Sequence, residues 1–302
     1  MFVESFLKYI RYEKNYSSHT VLSYNNDLLQ FRRYIEETTG GFDPINVDAC
    51  LVRGYISLLM EEGIVPRSVG RKLSTLRTFY KYLIKMGQIK ESPVATLQKP
   101  REGKRLPVFV RQTEMDDLLN EDRFPSTFLG IRDRLILSML YQTGMRRAEL
   151  ISLQDSSIDF SASIIKVTGK RDKQRIIPFG EELKVEIGDY MDIRAKEVGA
   201  DVDAFFVRND GRRLYPGLVY RIVTAALAEV TTLSKRSPHV LRHSFASAML
   251  NNGADIDSVK ELLGHNSLAS TQIYTHVTFE ELKKSYNQAH PRAVKKGGFY
   301  GY

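Results

Sequence analysis

The chain is 302 residues long, carries 44 Lys and Arg against 36 Asp and Glu for a formal charge of +8, and is 42% hydrophobic and 26% charged. At ~150 residues per domain this length predicts two domains, and the balanced composition excludes the disordered and fibrous classes. A single cysteine excludes a disulfide framework or a thiolate zinc module, while apolar runs shorter than a ~20-residue membrane span and a charged opening segment lead us to expect a cytoplasmic protein.

The first third reads as helical. Phe2, Phe6, Tyr9 and Ile10 fall at helical spacing. Ser17 or Ser18 caps a second helix with a stripe of Val21, Tyr24, Leu28, Phe31 and Ile35, stopped by Gly40 and Gly41. A third runs from Asp48 through Leu51, Tyr55, Leu58 and Leu59 to Gly63. In the fourth, Ser68 precedes Val69, Leu73, Leu76, Tyr80, Leu83 and Ile84 on one face, with Arg67, Arg71, Lys72, Arg77, Lys81 and Lys85 around the remainder and no acid between Arg67 and Ile89. Divided at Leu106, the charge is +6 in the N-terminal part and +2 in the rest. A surplus so placed favours a polyanionic partner, nucleic acid before an anionic membrane surface. Hydroxyls interleaved with cations suit a phosphate backbone, although a solvated helix face has the same composition; Arg67, Arg71, Lys72, Arg77 and Lys81 are the candidate DNA-binding residues. Residues 92–107 contain Pro93, Pro100 and Pro107 with Arg101, Lys104 and Arg105 between them and no sustained period. They are expected to form a basic linker between a helical domain, 1–91, and a second domain, 108–290, with 291–302 as a C-terminal tail that is flexible from Lys295 on.

After the linker, Thr113 and Asp116 open a helix, and Ile131, Leu135, Ile136, Met139 and Leu140 mark another. The period then changes: Ile164, Ile165 and Val167, then Ile176 and Ile177, flank a polar stretch from Thr168 to Arg175, as in a β-hairpin with a charged tip. Helical patterns resume from Glu181, over Tyr215 to Val230, Pro238 to Asn252 and Ile256 to Leu263. The fold class expected is mainly α with a small β component.

Four segments of this domain carry groups suited to phosphoryl transfer. In Thr143-Gly-Met-Arg-Arg-Ala-Glu-Leu150, Arg146 enters a helix with Glu149 one turn on; a guanidinium donates to two phosphate oxygens at once, though an ordinary surface pair has the same spacing. His239 and Arg242 share a helix face close to an N-terminus that favours anions. His239 and His243 stand at i and i+4, but Val240 occupies the place where a zinc motif needs glutamate, so no metal site is expected. Gly264 ends a helix ahead of His265, and Tyr274-Thr-His276 follows. Five of the six histidines lie from His239 onward, where imidazole can move protons near neutral pH.

Thr143 to Leu150, Gly169-Lys170, His239-x-x-Arg242, Leu263-Gly-His265 and Tyr274-Thr-His276, in that order, resemble the tyrosine site-specific recombinases, most closely their bacterial Xer branch. Ala289-His-Pro-Arg-Ala293 resembles the ending of that branch. The resemblance spans nearly the whole chain. It implies a helical, SAM-like core-binding bundle followed by an α+β catalytic domain, and a reaction needing neither metal nor ATP, nor any other cofactor. In it Tyr274 attacks a phosphodiester to leave a 3′-phosphotyrosyl link. Arg146 and Arg242 would stabilise the transition state, His239 and His265 would transfer or share protons, Lys170 would be the acid for the leaving oxygen, and Glu149 would support Arg146. Where the family has Gly-Lys-Gly-Asn-Lys, this chain has Gly169-Lys-Arg-Asp-Lys173, which leaves Lys170 and Lys173 both open as the acid. The implied partners are double-stranded DNA at a specific site, further protomers in a homo- or hetero-tetramer, and a second recombinase, at the nucleoid and without a membrane. The implied role is chromosome or plasmid dimer resolution in chromosome partition. A mobile-element integrase, a DNA invertase, a type IB topoisomerase and a DNA-binding protein without activity stand as alternatives.

Overall fold

A computed structural model describes residues 2–101, 108–169, 174–199, 204–264 and 279–293. The chain folds as two compact units, Met1–Arg105 and Leu106–Tyr302.

In the first unit, α1 (Phe2–Lys8) runs into a π-helical turn, Tyr9–Glu13, and is followed by α2 (Ser18–Thr39), α3 (Ala49–Glu61) and α4 (Pro66–Lys85). Ser17 caps α2 by accepting from Thr20 N, and Asp48 caps α3 by accepting from Leu51 N at 2.8 Å. Helix α4 begins at Pro66 rather than after Ser68, because proline lacks the N–H that the first helical position leaves unused. The buried stripes of these helices meet in one core through Phe6, Leu28, Phe31, Tyr55, Leu73, Leu76, Phe79 and Leu83. Leu58 and Ile84, expected inward, are exposed, because each adjoins a residue that takes the inward position, Leu59 and Leu83.

Two expectations change here. Lys72 is buried, not displayed to a polyanion. It sits three residues after Val69 and four before Leu76, on the apolar stripe itself, where its Nζ donates to Asp27 at 3.2 Å and also to Gln30. Asp27 is itself buried on α2 and accepts from Arg71 and, at 2.8 Å, from the Thr75 hydroxyl, so one carboxylate locks α2 to the basic helix. The second change concerns the linker. Val94 and Leu97 are buried in the core of this unit, and Arg77 donates to the Leu97 carbonyl. The first residues of the 92–107 stretch therefore pack on α4 instead of bridging freely. The last six, 102–107, lie outside the described residues.

The second unit contains α5 (Gln112–Leu118), α6 (Phe128–Thr143), α7 (Arg147–Ser152), β1 (Ile158–Asp159), β2 (Ile164–Thr168), β3 (Gln174–Pro178), α8 (Glu181–Glu197), α9 (Pro216–Val230), α10 (Pro238–Asn251), α11 (Ile256–Leu263) and α12 (Phe279–Ala289). Leu135, Ile136, Leu137, Met139, Leu140 and Tyr141 are consecutive or nearly so and all buried, so the second half of α6 is enclosed on every side, and the helix packs against α8 and α10. The three strands form an antiparallel sheet in the order β1-β2-β3, with Ile165 opposite Ile177 and Val167 opposite Arg175. Ile165, Val167 and Ile177 face inward, whereas Ile176 is exposed.

Helix α12 places Leu282, Tyr286 and Ala289 against Phe245, Met249, Val259 and Leu262 of α10 and α11. The chain stays packed beyond it, contrary to the expectation of a tail from residue 291: Ala293 is buried, and Arg292 pairs with Glu182 and, at 3.4 Å, with Asp116. His290 is an internal residue whose ring lies against Tyr286, Tyr141 and Phe245 at centroid distances of 5.2, 5.3 and 5.6 Å.

Burial pushes the His290 pKa down to about 3, and the Arg292 charge acts in the same direction. The unfolded imidazole binds a proton below about pH 6.5 while the folded one stays neutral, so stability is full above pH 6.5 and declines by about 1.4 kcal/mol per pH unit as the pH falls toward 3. Between pH 7.5 and 5.0, His290→Gln is expected to lose about 2 kcal/mol less stability than the wild type in urea titrations. Equal losses in the two proteins would place the imidazole in contact with water.

Candidate active site

Helix α6 stops at Gly144, whose φ of +59° an L side chain rarely adopts, and a Cβ there would lie 2.5 Å from the Phe245 ring. The chain turns and re-enters a helix with Arg146 at the cap of α7. Glu149 reaches back to accept from Arg146 N at 2.7 Å and from Arg146 Nη1 at 2.9 Å. Arg146 Nη2 donates to the Gly264 carbonyl at 3.1 Å, and about a third of the side chain remains exposed. Arg147 is half-buried and donates to the Pro216 carbonyl at 3.2 Å, which ties α7 to the start of α9.

Helix α10 opens with Ser237 at its cap and Pro238 at its first position. His239 is accessible at this end, and Arg242, one turn on, is buried. Arg242 divides its nitrogens between the carbonyls of Gly144 and Leu263. Met145, Arg146, Arg147, Tyr220, Ser237, Pro238, His239 and Arg242 line one cleft of about 250 Å³.

The electrostatics follow from this crowding. Burial lowers the Arg242 pKa to about 10, the charges of Arg146 and Arg175 add to the effect, and Glu149 opposes it. The guanidinium therefore stays cationic at neutral pH. Burial of the Glu149 carboxyl would raise its pKa, but bonds from Arg175 and Arg146 outweigh that and hold it below the usual carboxylate range. His239 is held below the ordinary histidine value by partial burial and then by the charges of Arg242, His243, Lys235 and Arg147, so it is neutral at pH 7 and can accept a proton. Arg146, Arg175 and Arg242 surround a single carboxylate and leave two positive charges in excess, a setting that favours an anion with equatorial oxygens.

The structure thus brings together Arg146, Glu149, His239 and Arg242 of the residues singled out in the sequence. Lys170, Lys173, His265 and Tyr274 lie outside the described residues; α11 ends at Gly264, directly before His265. On α4, Arg67, Arg71 and Lys81 are exposed, Arg77 is half-buried and Lys72 is buried. Arg175 belongs to none of the sequence motifs. It donates to both Glu149 oxygens, at 2.6 and 2.9 Å, and to the Leu262 carbonyl at 2.8 Å. A signal for it does exist in the sequence: it alternates with Ile177, which puts a charged residue on the buried phase of a strand. Among the described residues no three His, Cys, Asp or Glu side chains are grouped to hold a metal ion, and no helix is long and apolar enough to cross a membrane.

A family model described as phage integrase family matches residues 109–281, and one described as the N-terminal SAM-like domain of phage integrases matches residues 3–87. Tyrosine recombinase XerC of Chlorobaculum parvum is 39% identical over 96% of this chain and 94% of its own, and that of Bacillus subtilis is 36% identical over 98% of each. Among solved structures, XerH bound to palindromic difH substrate in a post-cleavage complex superposes with a TM-score of 0.72 at 22% identity, covering 94% of this chain and 84% of XerH. The Tn1549 transposon integrase in complex with circular intermediate DNA gives 0.68 at 20% identity, covering 94% and 98%.

Proposed function

The chain belongs to the phage integrase family of site-specific tyrosine recombinases, enzymes that cleave and rejoin DNA through a tyrosyl intermediate, and from that premise we propose that it acts on double-stranded DNA with Tyr274 as the nucleophile. The phenol oxygen attacks the scissile phosphorus and the bond to O5′ breaks. A 3′-phosphotyrosyl ester and a free 5′-hydroxyl remain, and the 5′-hydroxyl of a partner duplex reverses the step. His239 and His265 take and share the phenol proton, Lys170 supplies the proton to the departing O5′, and Arg146 and Arg242 hold the nonbridging oxygens as their charge grows. Glu149 orients Arg146.

One observation carries this reading: two guanidiniums from separate helices and a neutral histidine open onto one small cleft whose charge is in positive excess. The role we propose is chromosome or plasmid dimer resolution, which whole-length relatives named tyrosine recombinase XerC favour; four protomers synapsed on DNA at the nucleoid complete the proposal. The test is to trap the wild-type protein on a nicked duplex and digest the adduct, which should yield the peptide containing Tyr274 joined to a 3′-phosphate. An adduct on any other residue removes the assignment.

The N-terminal unit would supply nonspecific affinity through α4. Replacing the exposed Arg67 and Lys81 together with alanine is expected to flatten the dependence of log affinity on log salt by about 1.8, because each lost phosphate contact removes about 0.9. Lys72→Ala is expected to leave that slope unchanged, since the side chain is buried against Asp27. An unchanged slope in the Arg67 and Lys81 double variant would turn this face away from DNA.

A further inference from the structure

We propose that Arg175 is a positioning residue that sets the geometry of the phosphate site by acting through Glu149; the assignment rests on the recombinase reading above. Arg175 stands on β3, which begins directly after residues 170–173, and its pairing opposite Val167 turns it to the buried face of the hairpin. Its side chain is 11% exposed and, among the described residues, it is not one of those that line the cleft, so the role assigned to it is exerted through Glu149 and not by contact with substrate.

All three of its guanidinium nitrogens are engaged. Nη1 and Nη2 donate to different oxygens of Glu149, and Nε donates to the Leu262 carbonyl. The remaining capacity of Glu149 goes to the backbone N and Nη1 of Arg146. Arg146 is the partly exposed member of the cluster, and its guanidinium is held by the Glu149 carboxylate on one side and the Gly264 carbonyl on the other. That carboxylate is fixed by a fork that arrives from the opposite side.

The same residue braces the end of α11. Leu262, Leu263 and Gly264 present three successive carbonyls, and Arg175, Arg242 and Arg146 take one each. Gly264 adopts φ +64°, and a Cβ on it would stand 3.1 Å from Arg175 Cδ, so the helix end and the guanidinium occupy complementary space. Arg175 thereby joins the strand that leaves the Lys170 segment, the helix cap that carries Arg146 and the helix end that precedes His265. A lysine at this position keeps the charge, but its single nitrogen cannot serve both Glu149 oxygens and Leu262 together.

The test uses the full-length protein and a nicked duplex bearing the site that the wild-type protein enriches from a random-sequence pool. Single-turnover cleavage at saturating protein, duplex affinity and melting temperature are measured for Arg175→Lys, Arg175→Gln, Glu149→Gln and Arg175→Lys combined with Glu149→Gln. Both Arg175 variants should cleave more slowly by on the order of 10- to 100-fold, because a small misplacement of reacting groups has that effect. Affinity should stay within about three-fold of wild type, because the Arg175 guanidinium is buried and fully engaged by Glu149 and the Leu262 carbonyl. The double variant should be no slower than the slower single one, as expected for residues acting in series. Wild-type cleavage by Arg175→Lys, a loss seen in affinity instead of rate, a loss that only tracks melting temperature across the set, or a double variant whose loss is the product of the single losses overturns the assignment. If the wild-type protein forms no tyrosyl–DNA linkage, it is the recombinase reading that fails.

Discussion

Tyr274→Phe is expected to form no covalent complex with a nicked duplex that traps the wild-type protein, while binding that duplex with an affinity within about three-fold of wild type. The substitution removes one oxygen and keeps the ring. Phosphoryl transfer to the protein requires an atom that can form a new bond to phosphorus and hold it after O5′ departs, and phenylalanine has none. The guanidinium cluster is untouched, so the site would still attract and polarise a phosphodiester, and the residual reaction open to it is slow attack by water, which leaves no protein on the DNA. The readout is a denaturing gel for the covalent band beside a native gel for binding. A full-strength covalent band from Tyr274→Phe would move the nucleophile to another of the 16 tyrosines. Loss of both bands would show that the hydroxyl is needed to bind the duplex as well as to attack it.

The helices of the first unit are legible in the sequence because each has a stripe at helical spacing and most have a recognisable start: Ser17 and Asp48 cap where the residues suggest. The basic helix shows the limit of periodicity. It places Lys72 on the stripe between Val69 and Leu76, but only the fold brings Asp27 from α2 into contact and turns a long cation into a buried partner. The linker departs from expectation for a similar reason. Prolines and charges mark an irregular segment, yet Val94 and Leu97 have an apolar surface to cover that is made by residues far from them in sequence. In the active-site region, Arg146, Glu149, His239 and Arg242 are marked by motif, and the fold brings them to one place. Arg175 has no motif of its own, and its function is visible only when β3 meets α7 and α11. His290 carries the opposite lesson, since counting it with the other histidines suggests proton transfer, whereas its aromatic surroundings keep it neutral and inside.

Arg242→Lys is expected to slow single-turnover cleavage by about 10²- to 10³-fold, the loss that follows removal of one preorganised donor to a developing oxyanion, with little change in DNA affinity. The wild-type guanidinium is already committed by bonds to the carbonyls of Gly144 and Leu263, which aim its plane before DNA arrives. A lysine ammonium can reach one of these carbonyls or the phosphate, but it has no rigid fork with which to serve both. Arg242→Met separates charge from packing. It leaves two buried carbonyls without donors at about 1–3 kcal/mol each, and it also removes a positive charge from beside Arg146 and Arg175, which relieves the repulsion that depresses the Arg242 pKa. Its melting temperature should therefore fall by less than the two lost hydrogen bonds alone imply, while cleavage falls at least as far as in Arg242→Lys. Affinity changes little in either variant because one phosphate contact among many contributes a small share of binding. Full cleavage by Arg242→Lys would show that the site needs only a positive charge at this position, and the aimed planar fork would then have no part in the chemistry.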